Sequence, residues 1–247
     1  MPEASEMISW AIHHRAETAS TNVDARRGAP GDVFTADYQS AGHGRLDHRW
    51  LSPPGTNLMM SVVLDVSGLE PEAVSTLPLV IGLAVAEGLS PLLPADRSPQ
   101  IKWPNDVLVG GRKIAGILCE RQGDCVIAGI GVNVGQTAFA PEIAVRATSL
   151  VRERQGDDAA VPVVAVRDAV LAALDENYGI WRREGFAAVY PRLAQIDFLR
   201  GQSLSVGQTD NDPEPVRGVC GGIRPDGTLD VGGTPVYAGE AHVEGWM

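Results

Sequence analysis

Three apolar runs separated by glycine turns constrain this chain more than anything else in it. Val107-Leu108-Val109 meets Arg112 to Cys119 across Gly110-Gly111, a connection in which both central residues must take positive φ. A second turn, Gln122-Gly123-Asp124, leads into Cys125-Val126-Ile127-Ala128-Gly129-Ile130-Gly131-Val132-Asn133-Val134. That run is apolar on both faces, as a central buried strand requires. Strands joined by turns this short pair antiparallel. Residues 7–17 predict a further strand, and Ser20-Thr21-Asn22 are N-cap types for a short helix through Ala25-Arg26. Strands are predicted at Val33–Tyr38 and Asn57–Leu64, and Arg152–Asp158 reads as a loop. Helices are predicted over 70–90, with Leu77, Val80, Ile81, Ala84 and Val85 on one face, over 162–184, and over 186–195. Beyond about residue 199, short alternating strands broken by Pro225-Asp226-Gly227 and Gly232-Gly233 read as a small appended β-barrel.

Charge excludes some functions. The 247 residues carry a net charge of -11. This speaks against a nucleic-acid or anionic-membrane surface. An acidic protein that binds an anion must gather its cations locally, and Arg45, Arg49, Lys102, Arg112 and Lys113 sit in or beside the glycine-bearing segments. Only two lysines stand among eighteen arginines, and both fall in one stretch, residues 101–116. A lysine ammonium is a compact point charge; a guanidinium is a broad fork. The three cysteines lack CxxC spacing and fit reduced core thiols of a cytoplasmic protein. The N-terminus has no signal-peptide pattern, and no stretch reads as a membrane span.

Four segments could carry chemistry. The loop 39–56 is long and polar, and Gly42-His43-Gly44-Arg45 within it offers backbone N–H groups and a cation to an anion. In Lys102-Trp103-Pro104-Asn105-Asp106, Pro104 fixes a bend, and Asn105 and Asp106 offer oxygens to a sugar, a phosphate or Mg²⁺, or simply make a turn. Trp103 in that position is more often core than ligand platform. Lys113 precedes Gly116, where a ligand or a neighbouring backbone can approach closely. Asn133 lies in a run fit for burial, so it is either a satisfied core amide or a ligand contact.

Taken together and in order, these segments resemble the biotin–protein ligases. The resemblance spans nearly the whole chain: Ser20-Thr21-Asn22, Gln39, Gly42-His43-Gly44-Arg45, Trp50, Lys102-Trp103-Pro104-Asn105-Asp106, Lys113-Ile114-Ala115-Gly116-Ile117 and Gly129-Ile130-Gly131-Val132-Asn133. It implies an α+β fold, a mixed, largely antiparallel sheet flanked by helices and related to class II aminoacyl-tRNA synthetases. This catalytic domain, 1–198, is followed by an SH3-like barrel, 199–247. It also implies two half-reactions: biotin and Mg-ATP give biotinyl-5′-AMP, and biotin then passes to a lysine of a biotin carboxyl carrier protein domain. By the same resemblance Ser20, Thr21, Asn22 and Gln39 bind the ureido end of biotin. Gly42, His43, Gly44 and Arg45 wrap its carboxyl and phosphate, and Gly116 lines that pocket. Trp50 stacks near adenine. Asn105, Asp106 and Asn133 serve the nucleotide, with Asp106 toward Mg²⁺. Lys113 and Arg45 carry the catalytic charge, with Lys113 at the carboxylate and α-phosphate oxygens. Lys102 touches ligand or braces the Trp103-Pro104 turn.

The family loop commonly reads Gly-Arg-Gly-Arg and then Gly-Arg; here His43 and Asp47-His48 stand at those places. Retention of the intermediate is therefore expected to vary with pH in the histidine range. The predicted first strand begins so early that no N-terminal DNA-binding domain is expected, and with the acidic charge this implies a ligase without repressor function. Homodimers occur in the family. Two other readings share parts of the pattern: a lipoate–protein ligase or octanoyltransferase relative, and a noncatalytic biotin-binding paralogue.

Overall fold

A computed structural model describes residues 8–46, 49–155, 160–207, 212 and 214–245. Its elements run β1 (Ala11–Thr18), α1 (Thr21–Ala25), β2 (Asp32–Gln39), β3 (Leu58–Asp65), α2 (Pro71–Ser75) and α3 (Leu77–Leu89). Then follow β4 (Pro99–Lys102), β5 (Asp106–Val109), β6 (Arg112–Gln122), β7 (Cys125–Val132), α4 (Leu150–Arg154), α5 (Val163–Glu184) and α6 (Phe186–Gln195). The chain finishes with β8 (Ser203–Gly207), β9 (Val216–Ile223), β10 (Leu229–Val231), β11 (Thr234–Val236) and β12 (Glu240–Val243).

Seven strands form one sheet in the order β1-β2-β3-β7-β6-β5-β4. The glycine turns do what their residues suggest. Gly110 and Gly111 take φ of 57° and 73° between β5 and β6, and Gly123 takes 61° between β6 and β7. Each pair they join is antiparallel. Among the described strands of this sheet only β1 and β2 pair in parallel, across the crossover that carries α1, so the sheet is mixed as expected. Along β7, Val126, Ala128, Ile130 and Val132 enter the main core, while the alternate positions Gly129 and Gly131 face a cleft on the other side. Helices α3 and α5 cover the core face. Gly88 lets them touch: a Cβ there would stand 2.9 Å from the Ala169 carbonyl oxygen. Trp181 is buried between them and donates to Thr76 Oγ1 at 2.9 Å.

Three expectations need correction. The helix predicted over 70–90 is two helices, because Pro78 lacks an N–H and its ring opposes the turn before it, so the chain breaks at Thr76. Arg152–Arg154 are helical, not loop: Ser149 caps α4 by accepting from the Arg152 N–H. Residues 156–158 of that predicted loop lie outside the described residues. Third, residues 71–92 are long and apolar enough to cross a membrane, but 67% of the relevant window is buried inside the fold, as in a core helix. The last five strands form a separate sheet, β11-β10-β9-β8-β12. It is tied to the rest of the fold by hydrogen bonds from Trp103 Nε1 to Gly227 O, from Tyr190 Oη of α6 to Ile223 O and from Ile223 N to Asp197 Oδ2.

Candidate active site

The cleft over Gly129 and Gly131 encloses about 760 Å³ of space, part of it open to solvent. Its walls come from α1, the 39–50 loop, the 105–106 turn, the middle of β6 and β7, and Glu240 of the terminal sheet. At one end lies a buried polar cluster. Gln39 Oε1 accepts from the Thr21 backbone N–H at 2.7 Å and from its hydroxyl at 3.0 Å. Ser61 Oγ stands 2.7 Å from Thr21 Oγ1 and 2.6 Å from Asn22 Oδ1, so its single proton can serve either. Asn22 Nδ2 donates to Glu120 Oε2 at 2.6 Å, and Arg26 pairs with the same carboxylate at 3.0 Å. Ser20 is the N-cap of α1 but makes no side-chain cap bond, which leaves its buried hydroxyl to the cleft. Gly129 is needed here, for a Cβ would come within 3.1 Å of Asn22 Cγ.

The other end is charged. The β5–β6 pairing shifts register so that Val107 faces Ala115 and Leu108 faces Lys113, leaving Ile114 as the extra residue of a bulge. Bulges re-aim side chains, and the residue just before this one is a lysine that lines the cleft. Lys113 Nζ lies 2.6 Å from Asp106 Oδ1, an ion pair in which that oxygen makes no well-aligned hydrogen bond. The Trp50 ring lies over Gly116 and Gly131: Cβ atoms there would stand 3.3 Å and 2.6 Å from it. Lys113 Nζ is 5.9 Å from that ring's centroid. Trp50 Nε1 is buried without a hydrogen-bond partner among the described residues.

Arg45 is held by three groups. Its guanidinium donates to Asn105 Oδ1 at 3.3 Å and to Gly239 O at 3.1 Å, and it pairs with Glu240 at 3.7 Å. Glu240 also pairs with Lys102 at 3.7 Å. Lys102 is buried and lies outside the cleft lining, where it joins β4 to the terminal sheet through Glu240. Trp103 is core, as its position suggested.

The structure brings Ser20, Thr21, Asn22, Gln39, His43, Gly44, Arg45, Trp50, Asn105, Asp106, Lys113 and Gly116 to this one cleft. Gly42 stands just behind it, where its carbonyl accepts from the Trp50 N–H at 3.0 Å and a Cβ would meet Trp50 O at 2.9 Å. Asn133 is not brought there. It is buried, donates Nδ2 to Thr148 O at 3.0 Å and is fixed through its backbone to Ile114 and Leu150, so the core-amide alternative is the one realised. Asp47-His48 lie outside the described residues. Sequence reasoning missed Ser61, Glu120 and Glu240. Ser61 is a small polar residue inside the apolar run of β3, and Glu120 opens the polar end of β6, so neither stands out; Glu240 reaches the cleft only through the packing of the terminal sheet.

The single carboxylate Asp106 beside Lys113 matches a metal that arrives with nucleotide phosphates, which asks for one or two protein oxygens. No cluster of three or more His, Cys, Asp or Glu suited to a resident metal occurs among the described residues.

Comparison with known proteins agrees with this geometry. Residues 16–136 match the biotin/lipoate A/B protein ligase family. The biotin–[acetyl-CoA-carboxylase] ligase of Mycobacterium tuberculosis is 35% identical over 92% of this chain and 86% of its own length. The bifunctional ligase/repressor BirA of Escherichia coli is 31% identical over 81% of this chain, which spans only 61% of that protein. A biotin protein ligase from Aquifex aeolicus, solved in complex with biotin and ATP, superposes with a TM-score of 0.80 at 27% identity, covering 94% of this chain and 98% of its own. The chain thus belongs to the biotin/lipoate A/B protein ligase family and, within it, to the biotin–protein ligases.

Proposed function

We propose that this protein is an ATP-dependent biotin–protein ligase that forms biotinyl-5′-AMP and transfers biotin to a lysine of a biotin carboxyl carrier protein domain. The observation that carries the reading is the placement, in one cleft, of a neutral hydrogen-bonding cluster at one end and a lysine–aspartate pair at the other. The cluster around Thr21, Gln39 and Ser20 offers donors and acceptors in low dielectric, as a ureido group needs. The carboxyl end of biotin would then lie toward Lys113. A carboxylate oxygen attacks the α-phosphorus of ATP, the bond to the bridging oxygen breaks, and pyrophosphate leaves with the electron pair. Lys113 has three donors, and its ion pair with Asp106 leaves donors available to the oxygens that gain charge. Arg45 supplies a second, already oriented cation. Trp50 gives the nucleotide an apolar wall. Magnesium enters with ATP as substrate. In the second step the acceptor amine attacks the acyl carbon, an amide forms, and AMP departs. No protein nucleophile is required.

We also read the terminal sheet, from about residue 199, as an SH3-like barrel appended to a catalytic domain of class II synthetase type. Its contribution of Glu240 to Arg45 and Lys102 supports a part in closing the nucleotide end. The three free cysteines support a reducing, cytoplasmic setting.

The test is to incubate the protein with biotin, Mg-ATP and a carrier domain, following pyrophosphate and the carrier's mass. Pyrophosphate release with a gain of one biotinyl group is expected. Lipoate transfer without biotin transfer, or biotin binding without pyrophosphate, would overturn the proposal.

A further inference from the structure

Outside the cleft lining, behind the Lys113 backbone, lies a charged network that the reaction as described does not use: a buried carboxylate met by partly exposed guanidinium groups. Strand β7 ends at Val132, opposite Ala115 of β6. Past that point residues 146–148 take its place beside β6. The Lys113 N–H donates to Arg146 O at 2.7 Å, and the Thr148 N–H donates to Lys113 O at 2.9 Å. Both backbone groups of Lys113 are thus set by a loop segment instead of a strand. What holds that segment is Glu153 of α4, whose side chain is 1% exposed. Glu153 Oε1 accepts a short hydrogen bond from Thr148 Oγ1. The same oxygen accepts from Arg112 Nη2 at 2.7 Å, and Arg97 Nε lies 3.9 Å from Oε2. Arg112 is the residue before Lys113. One carboxylate therefore grips the chain on both sides of the Lys113 backbone.

A buried carboxylate is a poor device for stability alone, because its desolvation offsets much of its attraction to a partly exposed arginine. It does fix geometry, since a guanidinium and a carboxylate meet in few orientations. We infer that Glu153, through Arg112 and Thr148, is a positioning residue that holds Lys113 at the angle adenylation requires. This rests on the role proposed for Lys113 above.

The test measures steady-state pyrophosphate release and single-turnover adenylate formation for the full chain and for Glu153→Gln, alone and with Lys113→Arg. A misplacement of about 1 Å costs up to roughly 100-fold in rate. Glu153→Gln is expected to lower kcat about 10- to 100-fold while KM for biotin moves less than about threefold. On the Lys113→Arg background the same change is expected to lower the residual rate less than about twofold, since the group it positions is gone. Wild-type kcat in folded Glu153→Gln, or additive losses in the double variant, would overturn the inference. If Glu153→Gln does not fold, Arg112→Lys keeps the charge and loses the fork. Its loss of kcat must likewise vanish in the presence of Lys113→Arg, and additivity there overturns the inference. Absence of pyrophosphate release by the wild-type protein would instead refute the reading on which it rests.

Discussion

Replacing Gly131 by alanine should separate the two ends of the cleft. A Cβ at Gly131 would stand 2.6 Å and 2.7 Å from Trp50 Cε2 and Cζ2 and 3.1 Å from Cδ2. Ordinary carbon–carbon contact is about 3.5–4.0 Å, so the ring must retreat by about 1 Å. The strand cannot yield instead, because Gly131 pairs with Met59 on one side and Gly116 on the other. Trp50 belongs to the 40–57 loop and is only half-buried, so the fold should lose at most the lower end of the roughly 1–3 kcal/mol typical of overpacking. The nucleotide should suffer more. A wall displaced by about 1 Å predicts a loss near 100-fold in kcat/KM for ATP, or about 2.7 kcal/mol. Biotin affinity should stay within about threefold, because the polar cluster is untouched. Pyrophosphate release at varied ATP, with calorimetric titration of biotin, measures both quantities. Gly129→Ala is the control, for its Cβ presses on Asn22 and should weaken biotin first. Wild-type KM for ATP with full kcat in Gly131→Ala would refute the assignment of Trp50 to the nucleotide end.

Lys113→Arg should keep the fold and lose most adenylation, on the order of 100-fold, because a fork cannot reproduce a point charge beside Asp106; pyrophosphate release at the wild-type rate would contradict this. Cys119 is half-buried as a residue, but its sulfur is crowded enough that burial pushes its thiol up to about 12. It should resist alkylation at pH 8, and rapid labelling seen by peptide mass mapping would show that the sulfur is open. Asp32 is held below the usual carboxylate range by hydrogen bonds from His13 and the Ala29 N–H. A lowered folded value means stability that is present above about pH 4, the unfolded value, and lost as pH falls through the folded one. The melting-temperature deficit of Asp32→Asn should therefore be largest near neutral pH and vanish in acid; a deficit that grows in acid would reverse the sign.

Local chemistry dictates local outcomes, and those were legible. Gly110-Gly111 and Gly123 can make only tight antiparallel turns, so β5, β6 and β7 follow from residue type. The helices over 163–184 and 186–195 follow from apolar spacing and the glycine between them. The order of motifs likewise named the family and most of the residues that line its cleft. Other features depend on groups far apart in the chain. Whether Asn133 meets a ligand depended on where the Thr148 carbonyl came to rest. Lys102 was ambiguous until Glu240, 138 positions later, arrived beside it with the terminal sheet. Glu153 carries no local signal at all. It looks like a charged residue in a polar stretch, and only the fold buries it against Arg112 and Thr148, behind the lysine that the reaction needs. The sequence alone determined which residues could do the chemistry, because turn, strand and helix preferences act over a few residues. The tertiary structure decided how each charge is aimed, because burial and ion pairing are set by partners that neighbouring sequence does not contain.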